Sequence, residues 1–231
     1  MLLYTVWILV LTCVAASPVD PQSPLLLEDS RSALIGWGDP RVNGGRLLDF
    51  TDGDLGEPLN IIISNLSDPY VLTDTGFNAY AKSLGYSAEC LGLHYGHRHQ
   101  ADLGDGDDRK IELIVARQHY FPVWGTCWES LAGGQHFRAW KQNGTAANSG
   151  AWFIGASQEN DSRRNHMIVP NGYNLGRNWF VRRAKHGTNW QGRWWKAEVE
   201  WITGLLEEGD KDVNHGISQD GRVAVLRVVR V

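Results

Sequence analysis

Two sets of side chains in this sequence are of the types that bind ligands or move protons. In the first set, His136, Arg138 and Trp140 occupy alternate positions, so a β-strand would place them on one face. His166 and Arg177 follow, within reach if the next helix packs near that strand. Guanidinium groups bind phosphate or carboxylate through paired hydrogen bonds, and imidazoles transfer protons. These five residues therefore predict a pocket for an anionic ligand or a sugar.

The same five residues leave a second interpretation open, in which they form a buried polar network that anchors a hairpin to a helix. A catalytic pocket of this kind would also need a nucleophile. The sequence contains no G-x-S-x-G motif and no convincing Ser/His/Asp set. We therefore expect binding rather than catalysis, and we assign no catalytic residue.

The second set is a run of imidazoles. His94, His97 and His99 lie close together and precede an acidic loop at 102–108. Imidazole nitrogen and carboxylate oxygen ligate Zn²⁺ and other transition metals. The run lacks the H-E-x-x-H spacing, and the acidic loop does not fit a calcium-binding loop. We therefore expect a solvated loop and no cofactor, with a metal at the three histidines as the alternative.

Tryptophan is abundant, with 11 residues in the chain. Trp195 and Trp201 belong to an apolar series that alternates with charged residues, which predicts that both face the core. Trp190 and Trp194 lie among polar residues, so we expect them to be exposed. Exposed indole rings stack on the apolar faces of sugars, which makes carbohydrate a candidate partner.

The elements that must position these residues can be predicted from sequence periodicity. Thr73 or Asp74 can cap a helix that ends at Gly85. A second helix is predicted from Asn174 to near Gly187. Alternating or continuously apolar runs predict strands and one hairpin, at 60–64, 111–116, 135–157, 195–201 and 222–231. The pattern indicates an α+β fold, a single domain with a β-sheet-rich core and about two short helices.

Residues 1–16 form an uncharged apolar run that ends in small residues. The run is shorter than the roughly 20 residues of a spanning helix and predicts a cleaved secretory signal peptide, with an uncleaved anchor as the alternative. We expect residues 17–36 to be a disordered lead-in and residues 37–231 to form the domain. The predicted localisation is secreted and extracellular, with the cell wall as an alternative.

A secreted chain carries further expectations for its cysteines and asparagines. Cys90 and Cys127 remain after signal removal, and an oxidising compartment favours a disulfide between them. Asn65, Asn143 and Asn160 each begin an N-x-S/T sequon, which predicts a glycoprotein. Asn143 also begins the Asn-Gly turn of the predicted hairpin, so its glycan would lie at the hairpin tip.

Charge and hydropathy exclude other functional classes. The chain of 231 residues carries 22 basic and 26 acidic residues, a formal net charge of −4. Without a basic surface, the protein is not expected to bind nucleic acid. No later apolar stretch reaches membrane length, so we expect no stable membrane span after signal cleavage, and the oligomeric state stays open.

Several segments together are distinctive: PLNIII at 58–63, LGY at 84–86, HFRAW at 136–140 and WFIGAS at 152–157, followed by His166 and Arg177. On these segments, residues 58–181 resemble the LssY C-terminal-like domain, and the stretch to Val231 is similar to small secreted fungal proteins. The resemblance implies binding close to lipid or phosphate, because in bacteria such domains are joined to phosphatase-like membrane domains. Phe137 stands where a second histidine would follow the first, which argues against a mechanism with adjacent histidines.

We therefore predict a secreted, glycosylated, single-domain protein that binds an anionic small molecule or a carbohydrate. Two alternatives stay open. One is a secreted hydrolase assisted by a metal that His94, His97 and His99 hold. The other is a cell-wall or host-interaction protein that acts through its surface.

Overall fold

The computed structural model describes residues 36–94, 96–120 and 125–231. The predicted signal peptide and nearly all of the predicted lead-in lie outside these residues. The strands of the described chain are β1 (Ile61–Ile63), β2 (Tyr86–Ser87), β3 (Gln100–Asp102), β4 (Arg109–Ile111), β5 (Ile114–Gln118), β6 (Gly134–Lys141), β7 (Trp152–Glu159), β8 (Thr188–Trp190), β9 (Arg193–Ile202) and β10 (Val223–Arg230). The predicted α+β fold with a β-rich core in one domain is confirmed.

Eight of these strands form one sheet, in the order β2-β5-β6-β7-β1-β10-β9-β8, and β3 pairs with β4 separately. β1 runs parallel to β10, and its other neighbour, β7, is antiparallel to it. β6 and β7 form the predicted hairpin. β10 lies inside the sheet, between β1 and β9, as its continuously apolar sequence predicts.

Three α-helices lie in the described residues: α1 (Asp74–Leu84), α2 (Cys127–Ala132) and α3 (Gly172–His186). α1 begins and ends as predicted, because Thr73 Oγ1 accepts a hydrogen bond from the Gly76 amide at 3.0 Å and Gly85 ends the helix with a φ of 93°. In the described part of the chain, no helix is both long and apolar enough to cross a membrane.

α3 packs directly onto β7 and begins two residues before the predicted Asn174. A Cβ atom at Gly176 would lie 2.4 Å from the backbone carbon of Ser157, so only glycine permits this approach. Further along α3, Phe180 and Ala184 are fully buried against the sheet. The glycine therefore decides how closely the helix covers this face of the sheet.

Apolar clusters bury both faces of the central strands. On the helix side, Phe77 packs against Phe137 and Trp152. On the opposite side, Trp37 and Trp140 belong to a second cluster that loops and β3 cover instead of helices. Alternation along β6 places His136 on this loop-covered face, together with Trp140. The polar residues of interest therefore lie beneath loops.

The predicted single strand at 111–116 is wrong. β4 ends at Ile111 and β5 begins at Ile114, and each belongs to a different sheet. The chain changes partner between them: the Glu112 amide donates to the His99 carbonyl, and the Leu113 amide donates to the Ala139 carbonyl. The alternating pattern of residues is the same before and after this change of partner strand, so periodicity alone could not reveal it.

The predicted disulfide between Cys90 and Cys127 is confirmed. It joins the segment after β2 to the first residue of α2. α2 was not predicted, because its six residues are too few for helical periodicity to emerge.

We expect the double substitution Cys90→Ser with Cys127→Ser to lower the free energy of unfolding by about 4 kcal/mol, because the bridge restrains a long loop in the unfolded chain. Urea unfolding of both proteins measures the difference. As a control, a reductant should destabilise the wild-type protein by a similar amount and leave the double variant unchanged. Equal stability of the two proteins without reductant would contradict the prediction.

Candidate functional site

The loop-covered face of β5, β6 and β7 carries a row of buried polar side chains. The strand register pairs His136 with Arg117 on one side and with Ser157 on the other. Alternation places Arg138 and Glu159 on the same face. His136 is 0% exposed, Ser157 is 1% exposed and Glu159 is 5% exposed. This face therefore holds ionisable groups inside the protein.

Arg117 is surrounded by three carboxylates. Its Nη1 donates to Glu159 at 2.7 Å and to Glu129 at 3.2 Å. Its Nε donates to Glu89 at 3.2 Å. Glu89 and Glu129 each lie within two residues of a bridged cysteine, so the disulfide holds both acids near the guanidinium. One guanidinium faces three carboxyl groups at this point.

The carboxylates around Arg117 differ in their affinity for protons. Burial raises the pKa of Glu129 to about 7, because Arg117 offsets only part of the desolvation. Burial acts in the same direction on Glu159, but the hydrogen bond from His136 and the charge of Arg117 outweigh it and hold the pKa of Glu159 far below its usual range. Burial also lowers the pKa of His136 to about 4, so this imidazole is neutral near pH 7.

Glu159 brings together two of the predicted pocket residues. His136 Nδ1 lies 2.9 Å from Glu159 Oε1, and His166 Nδ1 lies 3.7 Å from Glu159 Oε2. Arg138 lies near this pair and pairs with Glu57, at 3.3 Å between Nη1 and Oε2. His136 and His166 therefore share Glu159 as a partner, and Arg138 lies beside them with a partner of its own.

The other two predicted pocket residues have separate partners. Trp140 is fully buried in the second apolar cluster, and its Nε1 donates to the Lys110 carbonyl at 3.0 Å. Arg177 donates to both carboxylate oxygens of Asp220, at 2.5 and 2.7 Å, and to the Arg222 carbonyl. These contacts give Arg177 a bracing role between α3 and the start of β10, and it shares no partner with His136.

A second acidic group lies beside Arg138. Asp49 Oδ2 is 2.7 Å from His99 Nδ1, and Asp49 Oδ1 accepts a hydrogen bond from the Glu57 amide at 2.6 Å. Glu57 Oε1 is 3.9 Å from His215 Nε2. Burial raises the pKa of Glu57 to about 7, and nearby Asp49 adds to that effect, while Arg138 opposes it.

The three histidines of the predicted metal run are held apart. His94 Nδ1 lies 2.7 Å from Glu89 Oε2, whereas His99 Nδ1 meets Asp49. His97 is exposed. In the described chain, groups of three ligand atoms within 4.8 Å of one another occur at Asp49–Glu57–His99 and at Glu129–Glu159–His166. Neither group contains His94 or His97.

Several buried polar atoms near this face have no hydrogen-bond partner among the described residues. They are both carboxylate oxygens of Glu112, Ser157 Oγ, Arg138 Nε, and Nε2 of His94 and His136. Buried polar atoms are normally paired, so each of these marks a place where a solvent molecule, ion or ligand would be stabilised. Most of these atoms are hydrogen-bond acceptors, which favours a partner that donates or is positively charged.

A cleft of about 400 Å³ opens at the end of the β6–β7 hairpin that is remote from its turn. Its volume is within the range of roughly 300–1,000 Å³ that is typical of small-molecule sites. Four of the residues that line it carry amide side chains: Gln118, Gln135, Gln158 and Asn160. Glu159 also lines the cleft, so this carboxylate joins the cleft to the buried network.

Tryptophan exposure differs in part from the expectation. Trp195 is fully buried, as predicted, and Trp194 is 56% exposed, as predicted. Trp190 is half-buried against the helix-side cluster, and Trp201 is half-buried with the guanidiniums of Arg177 and Arg222 over its ring. The residues next to Trp190 in sequence are polar and predicted exposure. They gave no sign that this ring lies beside α1.

The three sequons differ in accessibility. Asn143 is exposed at the turn of the β6–β7 hairpin. Asn65 is half-buried, and the Ser67 of its sequon is buried. Asn160 is half-buried, and its amide nitrogen donates to the Met167 carbonyl at 2.9 Å. Of the three, Asn143 is therefore the best placed to accept a glycan.

Sequence reasoning missed the acids that organise the network. Their positions are Asp49, Glu57, Glu89, Glu112, Glu129 and Glu159. A usable signal existed for Glu159, because it continues the alternation of Ser157 along β7. A second signal was the position of Glu89 and Glu129 beside the paired cysteines. No comparable pattern points to Asp49 or Glu57, which lie in a loop before β1.

Comparison of the chain with protein-family models, with curated proteins and with solved structures gave no match. The resemblance to the LssY C-terminal-like domain therefore stays a prediction.

We expect Glu159→Gln to lower the free energy of unfolding by about 3–5 kcal/mol at pH 6, because it leaves Arg117 and His136 without their ionised partner in the interior. Glu129→Gln is the matched control. The pKa of Glu129 is about 7, so this side chain is mostly protonated at pH 6 and an amide resembles it. We expect a loss below about 1 kcal/mol for the control. Urea unfolding measures both, and equal losses would refute the assignment of charge.

Proposed function

We propose that the protein binds a neutral, hydroxyl-rich small molecule, such as a sugar, in the amide-lined cleft at the ends of β6 and β7. The observation that carries the proposal is Gln135. Its Oε1 is buried without a hydrogen-bond partner among the described residues, in the wall of the cleft. A sugar hydroxyl that donates to this oxygen would remove an otherwise unfavourable buried acceptor.

The other amides of the cleft suit the same class of ligand. Gln158 Oε1 accepts a hydrogen bond from the side-chain Nε2 of Gln135 at 3.2 Å. Gln118 Oε1 accepts one from the backbone amide of Gln135 at 3.1 Å. These contacts hold the side chains in place through their oxygens. An amide group both donates and accepts, as a hydroxyl does, so fixed amides can recognise several hydroxyls of one ring.

Charge in the cleft favours a neutral ligand over an anion. Glu159 and Asp161 line it together with Arg164, so the carboxylates outnumber the guanidinium. The other guanidiniums of the predicted pocket are paired: Arg138 with Glu57 and Arg177 with Asp220. Of the two ligand classes expected from sequence, carbohydrate is therefore retained, and an anionic ligand becomes the outcome that would contradict the proposal.

Export completes the proposed function. The apolar residues 1–16, the disulfide and the exposed sequon at Asn143 are together typical of a secreted glycoprotein. A sugar-binding protein outside the cell would meet its ligand free or as part of a polysaccharide. The exposed ring of Trp194 lies on β9, and we assign it no role in the cleft.

Isothermal titration with neutral mono- and disaccharides tests the proposal. We expect at least one sugar to bind, and its phosphorylated analogue to bind at least tenfold more weakly. Gln158→Leu should lower the affinity for this sugar at least tenfold, because polar groups in the cleft lose their partners. Gln191→Leu, in the exposed turn between β8 and β9, is the matched control and should leave affinity unchanged.

Three results would contradict the sugar site. One is the absence of binding across the neutral sugars. Another is tighter binding of the phosphorylated sugar, which would favour an anion pocket. The third is an equal loss of affinity in the Gln191→Leu control, which would place the ligand elsewhere.

A further inference from the structure

A second cluster of ligand-type side chains lies outside the cleft, on the loop-covered face. Asp49, Glu57 and His99 each offer one ligand atom, and these atoms lie within 4.8 Å of one another. All three residues are buried. Asp49 and Glu57 come from the loop before β1, and His99 directly precedes β3. Residues far apart in sequence thus bring two carboxylates and an imidazole together.

The neighbouring group of Glu129, Glu159 and His166 provides an internal comparison. There, Arg117 Nη1 contacts both carboxylates, at 2.7 and 3.2 Å, so a cation of the protein already lies among them. In the Asp49 group, Arg138 contacts the Glu57 carboxylate at 3.3 Å, and Arg46 Nη2 donates to the Asp49 backbone carbonyl at 2.6 Å instead of to its carboxylate. The two groups therefore differ in whether one guanidinium contacts both carboxylates.

Glu112 supplies an independent sign that a cation belongs near His99. Its side chain is 3% exposed, and neither carboxylate oxygen has a hydrogen-bond partner among the described residues. The Glu112 amide donates to the His99 carbonyl, and the charges of His99 and Arg138 act on its carboxylate. A buried carboxylate without partners is costly, and coordination of a cation is one of the few ways to compensate it.

The local charge points to a divalent ion. Asp49, Glu57 and Glu112 contribute three negative charges when ionised, and Arg138 and Arg46 contribute two positive charges. The remainder is negative, and the two ligand carboxylates of Asp49 and Glu57 match the charge of a divalent cation. A ligand set that includes an imidazole favours a first-row transition metal over Mg²⁺ or Ca²⁺, which take oxygen ligands.

We propose that Asp49, Glu57 and His99 bind one Zn²⁺-type divalent metal ion, and that the negative charge of nearby Glu112 strengthens its binding. The proton between Asp49 Oδ2 and His99 Nδ1, which lie 2.7 Å apart, leaves as the metal enters. The site is separate from the sugar cleft, which Gln135 and Gln158 line. It also differs from the run His94, His97 and His99, of which it uses only the last.

Titration of metal-stripped protein with ZnCl₂, followed by calorimetry, tests the site. We expect one Zn²⁺ per chain, and at least a tenfold loss of affinity in Glu57→Gln and in Glu112→Gln. Glu112→Gln is the decisive variant, because the Glu112 carboxylate makes no hydrogen bond with the described residues and its substitution breaks no pair. Circular dichroism confirms that each variant is folded before it is titrated.

Two control variants separate this site from the alternatives. Glu129→Gln alters the group that Arg117 occupies, and His97→Ala alters the exposed histidine of the run. Both should bind Zn²⁺ with wild-type affinity. The proposal is overturned if wild-type protein binds no stoichiometric Zn²⁺, if Glu112→Gln binds it unchanged, or if either control loses as much affinity as Glu112→Gln.

Discussion

The contact between Arg117 and Glu159 joins β5 to β7 across the intervening strand, at 2.7 Å in the protein interior. A buried guanidinium is stable only when carboxylates surround it, so the surrounding chain has to deliver them. Glu89 and Glu129 do so from segments that the disulfide ties together. The position of α2 and of the segment after β2 therefore depends on a buried charge near one edge of the sheet.

Arg117 cannot neutralise all the acids that it attracts, and the rest of the site reflects this surplus. Glu129 keeps a proton to about pH 7, and Glu57 on the far side of Arg138 does the same. Unpaired acceptors remain at Glu112 and in the cleft at Gln135. Such an interior favours donors and cations over anions, and the proposed sugar cleft and the proposed metal site both rest on this charge balance.

Local structure could be predicted where contacts between residues close in sequence determine it. The cap at Thr73 and the stop at Gly85 define α1 through contacts within a few residues. The disulfide could be predicted from the expected export of the chain and from its cysteine count. The prediction of a single strand at 111–116 was wrong for the opposite reason. Its two halves belong to different sheets, and only long-range pairing separates them. α2 begins at the bridged Cys127, and its six residues are too few to show helical periodicity.

By itself, the sequence determined that His136, Arg138 and Trp140 share one face, because alternation is a local property of an extended chain. Only the tertiary structure decided what each of them meets. Register places Glu159 beside His136, packing buries Trp140, and loop closure brings Glu57 to Arg138. These partners lie up to 81 positions away in sequence, so their identity depends on how strands and loops assemble.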